Sequence, residues 1–145
     1  MLKRDVTYED FNGDTVTETF YFNMSKTELV ELEYEYEGGF GATLEKIVQA
    51  QDNKSLISEF KKLILLSYGQ KSEDGKRFIK NNELREEFAQ TAAFNELFME
   101  LATDETAAST FINSIVPKDM SAVIEQEIKK STAQIALEQQ TEDLV

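Results

Sequence analysis

Polar and apolar positions alternate along residues 2 to 22, and the period then changes. Leu2, Val6 and Tyr8 share one parity, as do Val16, Phe20 and Phe22, while Thr15, Thr17 and Thr19 take the other. Both segments are rich in β-formers, and Asn12-Gly13 lies between them, so the pattern predicts a β-hairpin. A two-residue loop would pair Tyr8 with Thr17 and send the two apolar sets to opposite faces. Parity therefore selects a three-residue loop, Phe11 to Gly13 with Gly13 in the left-handed region, which pairs Tyr8 with Val16 and Leu2 with Phe22. A lone hairpin is marginal in water, so helices must cover its Val/Phe face.

The next stretch, "ELEYEYEGG" at residues 31 to 39, alternates like a strand. Two start signals just upstream argue for a helix instead: Ser25 and Glu28 form an S-x-x-E capping box, and Met24 and Leu29 occupy the positions of a hydrophobic staple. From there Leu29, Leu32 and Tyr36 share one helical face, and Gly38 stands where the helix should stop. In that helix Glu31 and Glu35, and Glu33 and Glu37, become like-charged neighbours four apart, each pair costing about 0.2–0.5 kcal/mol.

The remainder reads as helical. Residues 41 to 51 predict a short helix with Leu44, Ile47 and Val48 on one side, and "DNKSLISEFKKLILLSYG" follows with Leu56, Phe60, Leu63, Ile64 and Tyr68 at helical spacing and Gly69 as its stop. Residues 70 to 82 then form a polar loop turning at Asp74-Gly75 and carrying Lys71, Lys76, Arg77 and Lys80. Asn82 can cap a helix whose stripe, Leu84, Phe88, Thr91, Phe94, Phe98 and Leu101, steps by three or four. Thr103, with Asp104 and Glu105 in the first turn, opens another that carries Ala107, Ala108, Phe111, Ile112 and Ile115 and is ended by Pro117. Beyond Pro117 the aromatic residues stop, and Ile124, Ile128 and Ile135 make a thin stripe. The expected architecture is thus α+β and mostly α-helical: an N-terminal β-hairpin packed on four to five helices over residues 1–117, and a marginal amphipathic tail helix over 118–145 that frays toward its end.

Charge narrows the partners. The chain has 145 residues, enough for one domain with a real core, and 28 acids against 15 bases give a formal net charge of -13. Nucleic acid and anionic membrane would be repelled, whereas a basic protein partner would be attracted. The longest apolar run, Leu63 to Leu66, is far short of the roughly 20 residues that span a bilayer, and "MLKRDVTYEDF" lacks a signal-peptide core, so a soluble intracellular protein is expected.

Chemistry is narrowed further by what is missing. With no Cys and no His there is no Ser-His-Asp or Cys-His nucleophile, and zinc loses both preferred ligand types. No two carboxylates are placed in an apolar setting that would separate their pKa values, as a glycosidase needs. "DFNGD" starts like an EF-hand loop, but Thr15 stands at position 6 and Tyr21 at position 12, so a hairpin turn explains it better. "EGGFGA" lacks the lysine and hydroxyl of a phosphate loop and sits beside Glu35 and Glu37, which makes it a corner between helices. Lys71 to Lys80 reads as a solvated loop, with a contact to acidic surface, in this chain or another copy, as the second reading. Neither catalytic, cofactor nor metal residues are expected.

Three segments, "TETFYFNMSKTELVELE", "LSYGQKSEDGKRFIK" and "AFNELFMELATDETAASTFINSIVPKDM", resemble in order and texture the tail assembly chaperones of long-tailed bacteriophages. The resemblance covers residues 1 to 120. It implies a non-enzymatic, mostly helical protein that coats the tape-measure protein in the host cytoplasm, helps tail-tube subunits polymerise around it, and is absent from the finished virion. The partners implied are the tape-measure and tail-tube proteins, with several copies of the chain along one rod. For the partner face the sequence offers Ile124, Ile128 and Ile135 of the tail, and Glu31, Glu33, Glu35 and Glu37 of the first helix. Two other classes fit the composition: a neck or tail-completion protein of the virion, and an acidic DNA mimic that inhibits a host protein.

Overall fold

The computed structural model describes residues 1–35 and 54–117, with side chains from Ile57 onward in the second stretch. Within them the order is β1 (Leu2–Glu9), β2 (Thr15–Phe22), α1 (Lys26–Glu35), α2 (Lys54–Ser67), β3 (Tyr68–Lys71), β4 (Phe78–Ile79), α3 (Asn82–Ala89), α4 (Ala92–Thr103) and α5 (Glu105–Ile115). Four antiparallel strands in the order β1-β2-β3-β4 make one sheet. The class is α+β, as the hydrophobic pattern indicates.

The hairpin has the register that parity selects. Leu2 pairs with Phe22 and Tyr8 with Val16. Asp10 N–H donates to Asp14 O at 2.8 Å, closing a loop of Phe11, Asn12 and Gly13, with Gly13 at φ 86°. Phe20, Phe22 and Val6 are buried on one face, and Thr15, Thr17 and Thr19 stay exposed on the other. There Thr7 and Thr17 hydroxyls meet at 2.9 Å, and Thr19 Oγ1 donates to Asp5 Oδ1 at 2.5 Å.

Among the described residues, helices cover the apolar face. α4 and α5 lie against β1, and α3 lies against β3. The core between them is aromatic: Phe22 meets Phe111 at 5.3 Å and 70°, and Tyr68 stacks on Phe88 at 4.1 Å and 20°. Phe20 and Phe94 close on Phe88 from two further sides, at 5.1 and 5.4 Å. Leu97, Leu101, Ile112 and Ile115 fill the space behind the rings.

The structure corrects several boundaries. Tyr68 and Gly69, expected to finish a helix, belong to β3, where they pair with Phe22 and Tyr21. Residues 70 to 82 are consequently not a plain loop but the rest of β3, the turn and β4, with Gln70 opposite Ile79 and Lys71 opposite Phe78. The turn is where the pattern places it: Gly75 has φ 72°, and Asp74 accepts from Ser72 Oγ at 2.6 Å and from Lys76 N–H at 3.0 Å. The Ser72 hydrogen bond, with that backbone N–H, holds the Asp74 carboxyl below its usual range.

The stripe from Leu84 to Leu101 is two helices rather than one. Asn81, not Asn82, caps α3 by accepting from Leu84 N–H at 2.8 Å. Thr91 then restarts the chain as the N-cap of α4, accepting from Phe94 N–H at 3.1 Å while its own hydroxyl donates to Phe88 O at 2.7 Å. For α5 the shift is one residue the other way, the cap being Asp104 and not Thr103: its carboxylate accepts from Thr106 and Ala107 N–H at 3.0 and 3.2 Å. Pro117 follows the helix end as expected. The expected helix over 41–51, the side chain of Leu56 and the tail beyond Pro117 lie outside the described residues.

Candidate partner-binding surface

The start of α1 is anchored by side-chain and backbone hydrogen bonds. Ser25 N–H donates to Glu28 Oε1 at 3.0 Å and Glu28 N–H to Ser25 Oγ at 3.1 Å, so the capping box is closed in both directions. Met24 and Leu29 of the staple are both buried. Lys80 arrives from the end of β4 and locks this corner, its Nζ donating to Asn23 O at 2.6 Å and to Glu28 Oε2 at 2.7 Å. Of the two readings of the basic segment, the contact within the chain holds for Lys80. Lys71 is engaged as well, 4.4 Å from the centre of the Tyr21 ring.

Burial alone would raise the Glu28 pKa, but the Lys80 hydrogen bond, the Ser25 N–H and the Lys80 charge outweigh it and hold the carboxyl below its ordinary value. Lys80 is pushed down by burial, against the pull of Glu28, and the nearby Arg85 charge adds to the push. The two shifts thus differ in what wins: pairing for Glu28, burial for Lys80. A carboxyl with a depressed folded pKa contributes stability that is complete above its unfolded value and is lost as pH falls through the folded one. Glu28→Gln is therefore expected to destabilise the protein by about 1 kcal/mol at pH 7, the upper end for a pair still reached by solvent. In denaturation titrations at pH 7 and pH 3 the gap to the parent chain should close at the lower pH; a gap of equal size at both would refute the assignment.

With its inner side so fixed, α1 turns a second face outward. Leu29 and Leu32 point into the core, and Val30, Glu31, Glu33, Tyr34 and Glu35 are exposed, Tyr34 at 88%. Val30 and Tyr34 lie four apart, as do Glu31 and Glu35, so one side of the helix presents an apolar pair alongside a repelling acidic pair. No base stands in its last turn to offset the carboxylates at the negative end of the helix dipole. The sequence pattern singles out the acids but misses Val30 and Tyr34. Their signal is present, since they fall at helical spacing off the Leu29/Leu32 face. Glu37, Ile124, Ile128 and Ile135 lie outside the described residues.

Among the described residues, no group of three or more His, Cys, Asp or Glu side chains is placed to hold a metal ion. No helix among them is long and apolar enough to cross a membrane. A family model described as phage tail assembly chaperone matches residues 1–144. The chain belongs to that family. Neither the curated proteins nor the solved structures contain a significant match. The chaperone presents an acid-flanked apolar strip on a helix whose N-terminal capping box is closed in both directions.

Proposed function

We propose that this chaperone binds the tape-measure protein of a long-tailed phage in the host cytoplasm, keeps it soluble while tail-tube subunits assemble around it, and is left out of the finished virion. It performs no catalysis and needs no cofactor in this reading. The observation that carries it is the outward face of α1, where Val30 and Tyr34 stand exposed beside Glu31 and Glu35. An amphipathic helix with bases beside its apolar stripe, laid along α1, would cover the two apolar side chains and relieve the carboxylate repulsion. Ile124, Ile128 and Ile135 would add an apolar contact from the tail, and several copies along one rod would make weak contacts sufficient.

Co-expression with the tape-measure protein of the same phage tests the reading. The expected outcome is a soluble complex holding several copies of the chaperone. Lys at positions 31, 33, 35 and 37, in place of Glu, should reduce the recovered complex at least tenfold, while circular dichroism shows the helix content kept. Precipitation of the tape-measure protein to the same extent with and without the chaperone would overturn the proposal, as would abundant copies of the chaperone in purified virions.

A further inference from the structure

A groove of about 310 Å3 runs between α2 and α3. Its apolar lining comes from Leu65 and Leu66, both half-buried, and its charge from Lys61, Lys62 and Arg85; no acid among the described residues lines it. In a chain of net charge -13 this is a local reversal. Arg85 donates from Nη1 to Asn82 Oδ1 at 3.3 Å, but its Nε is buried and meets no acceptor among the described residues. The groove's chemistry calls for a carboxylate-bearing apolar segment.

We infer that the groove is a docking site for the chain's own residues 131–145. That stretch carries Glu138, Glu142 and Asp143, no base, and the apolar residues Ile135, Leu137, Leu144 and Val145. Charge and apolar content both complement the groove. Reach is ample: residues 118–130 can span about 45 Å when extended, against a domain diameter of about 30 Å. The outward face of α1 on a second copy has similar chemistry, but a tethered segment competes at an effective concentration near the millimolar range, far above that of free chains at micromolar concentration. Docking in cis would cover Ile135 in the free protein and withhold it until a partner offers a better surface.

The chain has no cysteine, so a nitroxide at Val145→Cys reports on it without interference. With labelled, nitrogen-15-enriched protein, amide intensities of residues 61–66 and 82–85 should fall more than twofold, and those of the β1–β2 loop should not. The loss should vanish in the triple variant Glu138→Gln, Glu142→Gln, Asp143→Asn, which leaves the folded domain untouched, and in Lys61→Glu with Arg85→Glu. No attenuation at the groove, or attenuation unchanged in the triple variant, overturns the inference. Attenuation of equal size when enriched, unlabelled chains are mixed with nitroxide-labelled ones also overturns it, because the occupant is then a second copy. The chain is tested alone, so its result stands apart from that of tape-measure binding.

Discussion

Phe22→Ala is expected to remove about 3–5 kcal/mol of folding stability, the range for emptying the place of a fully buried ring. Phe22 is 0% exposed and sits where the sheet meets two helices, with Phe111 at 5.3 Å, Phe88 at 5.9 Å and Tyr68 at 6.0 Å from its ring centre. Those three rings belong to α5, α3 and β3, so no single neighbour can move in to fill the void without leaving another. Domains of this size are stable by about 5–15 kcal/mol, which makes the loss a large share of the total. Chemical denaturation should show the midpoint displaced accordingly. Phe11→Ala is the control: this ring is 83% exposed at the hairpin tip, and its loss should register within about 0.5 kcal/mol. Equal effects at the two positions would contradict the core described above.

Gly69→Ala should cost about 1–3 kcal/mol although it adds only one methyl group. A Cβ at Gly69 would stand 2.7 Å from Phe78 Cε2 and 2.9 Å from both Phe78 Cζ and Ile79 O. The ring can turn aside, but the carbonyl is backbone of the neighbouring strand and cannot. Joining Gly69→Ala with Phe78→Ala separates the two contacts. The pair should be less destabilising than the sum of the single changes, because the methyl group then meets only the carbonyl. Strict additivity in the same denaturation assay would show that the ring is not the obstacle.

Gly69 also shows why part of the fold is hidden from the sequence. Tyr68 continues the helical spacing of Phe60 and Ile64, and a glycine after such a stripe is a usual helix stop. The real reason for the glycine, a ring from nine residues onward lying over its backbone, is a tertiary contact that no local pattern encodes. The same holds for β4, whose two residues are too few to display an alternation. Thr91 hid its break differently, since the apolar stripe runs in phase from Phe88 to Phe94 across it. By contrast, the first hairpin was readable because parity alone excludes the alternative register, and the start of α1 because two independent devices coincide there. On the partner surface the acids stand out by composition, while Val30 and Tyr34 are set apart by the inward direction of Leu29 and Leu32. Lys80 looked like one base among four because its partners, Asn23 and Glu28, lie more than fifty residues away.

The link between β2 and α1 carries a consequence for how the protein comes off the ribosome. Asn23 N–H donates to Ser67 O at 2.8 Å and Met24 N–H to Ile115 O at 2.7 Å. Two adjacent amides thus wait for carbonyls made forty-four and ninety-one residues later. Until the chain has emerged through Ile115, the first hairpin lacks the partners that cover its apolar face, and a two-stranded ribbon does not hold by itself. Folding should therefore complete in one late step rather than from the N-terminus forward, and nascent chains halted before residue 115 should remain open to proteases that the released domain resists.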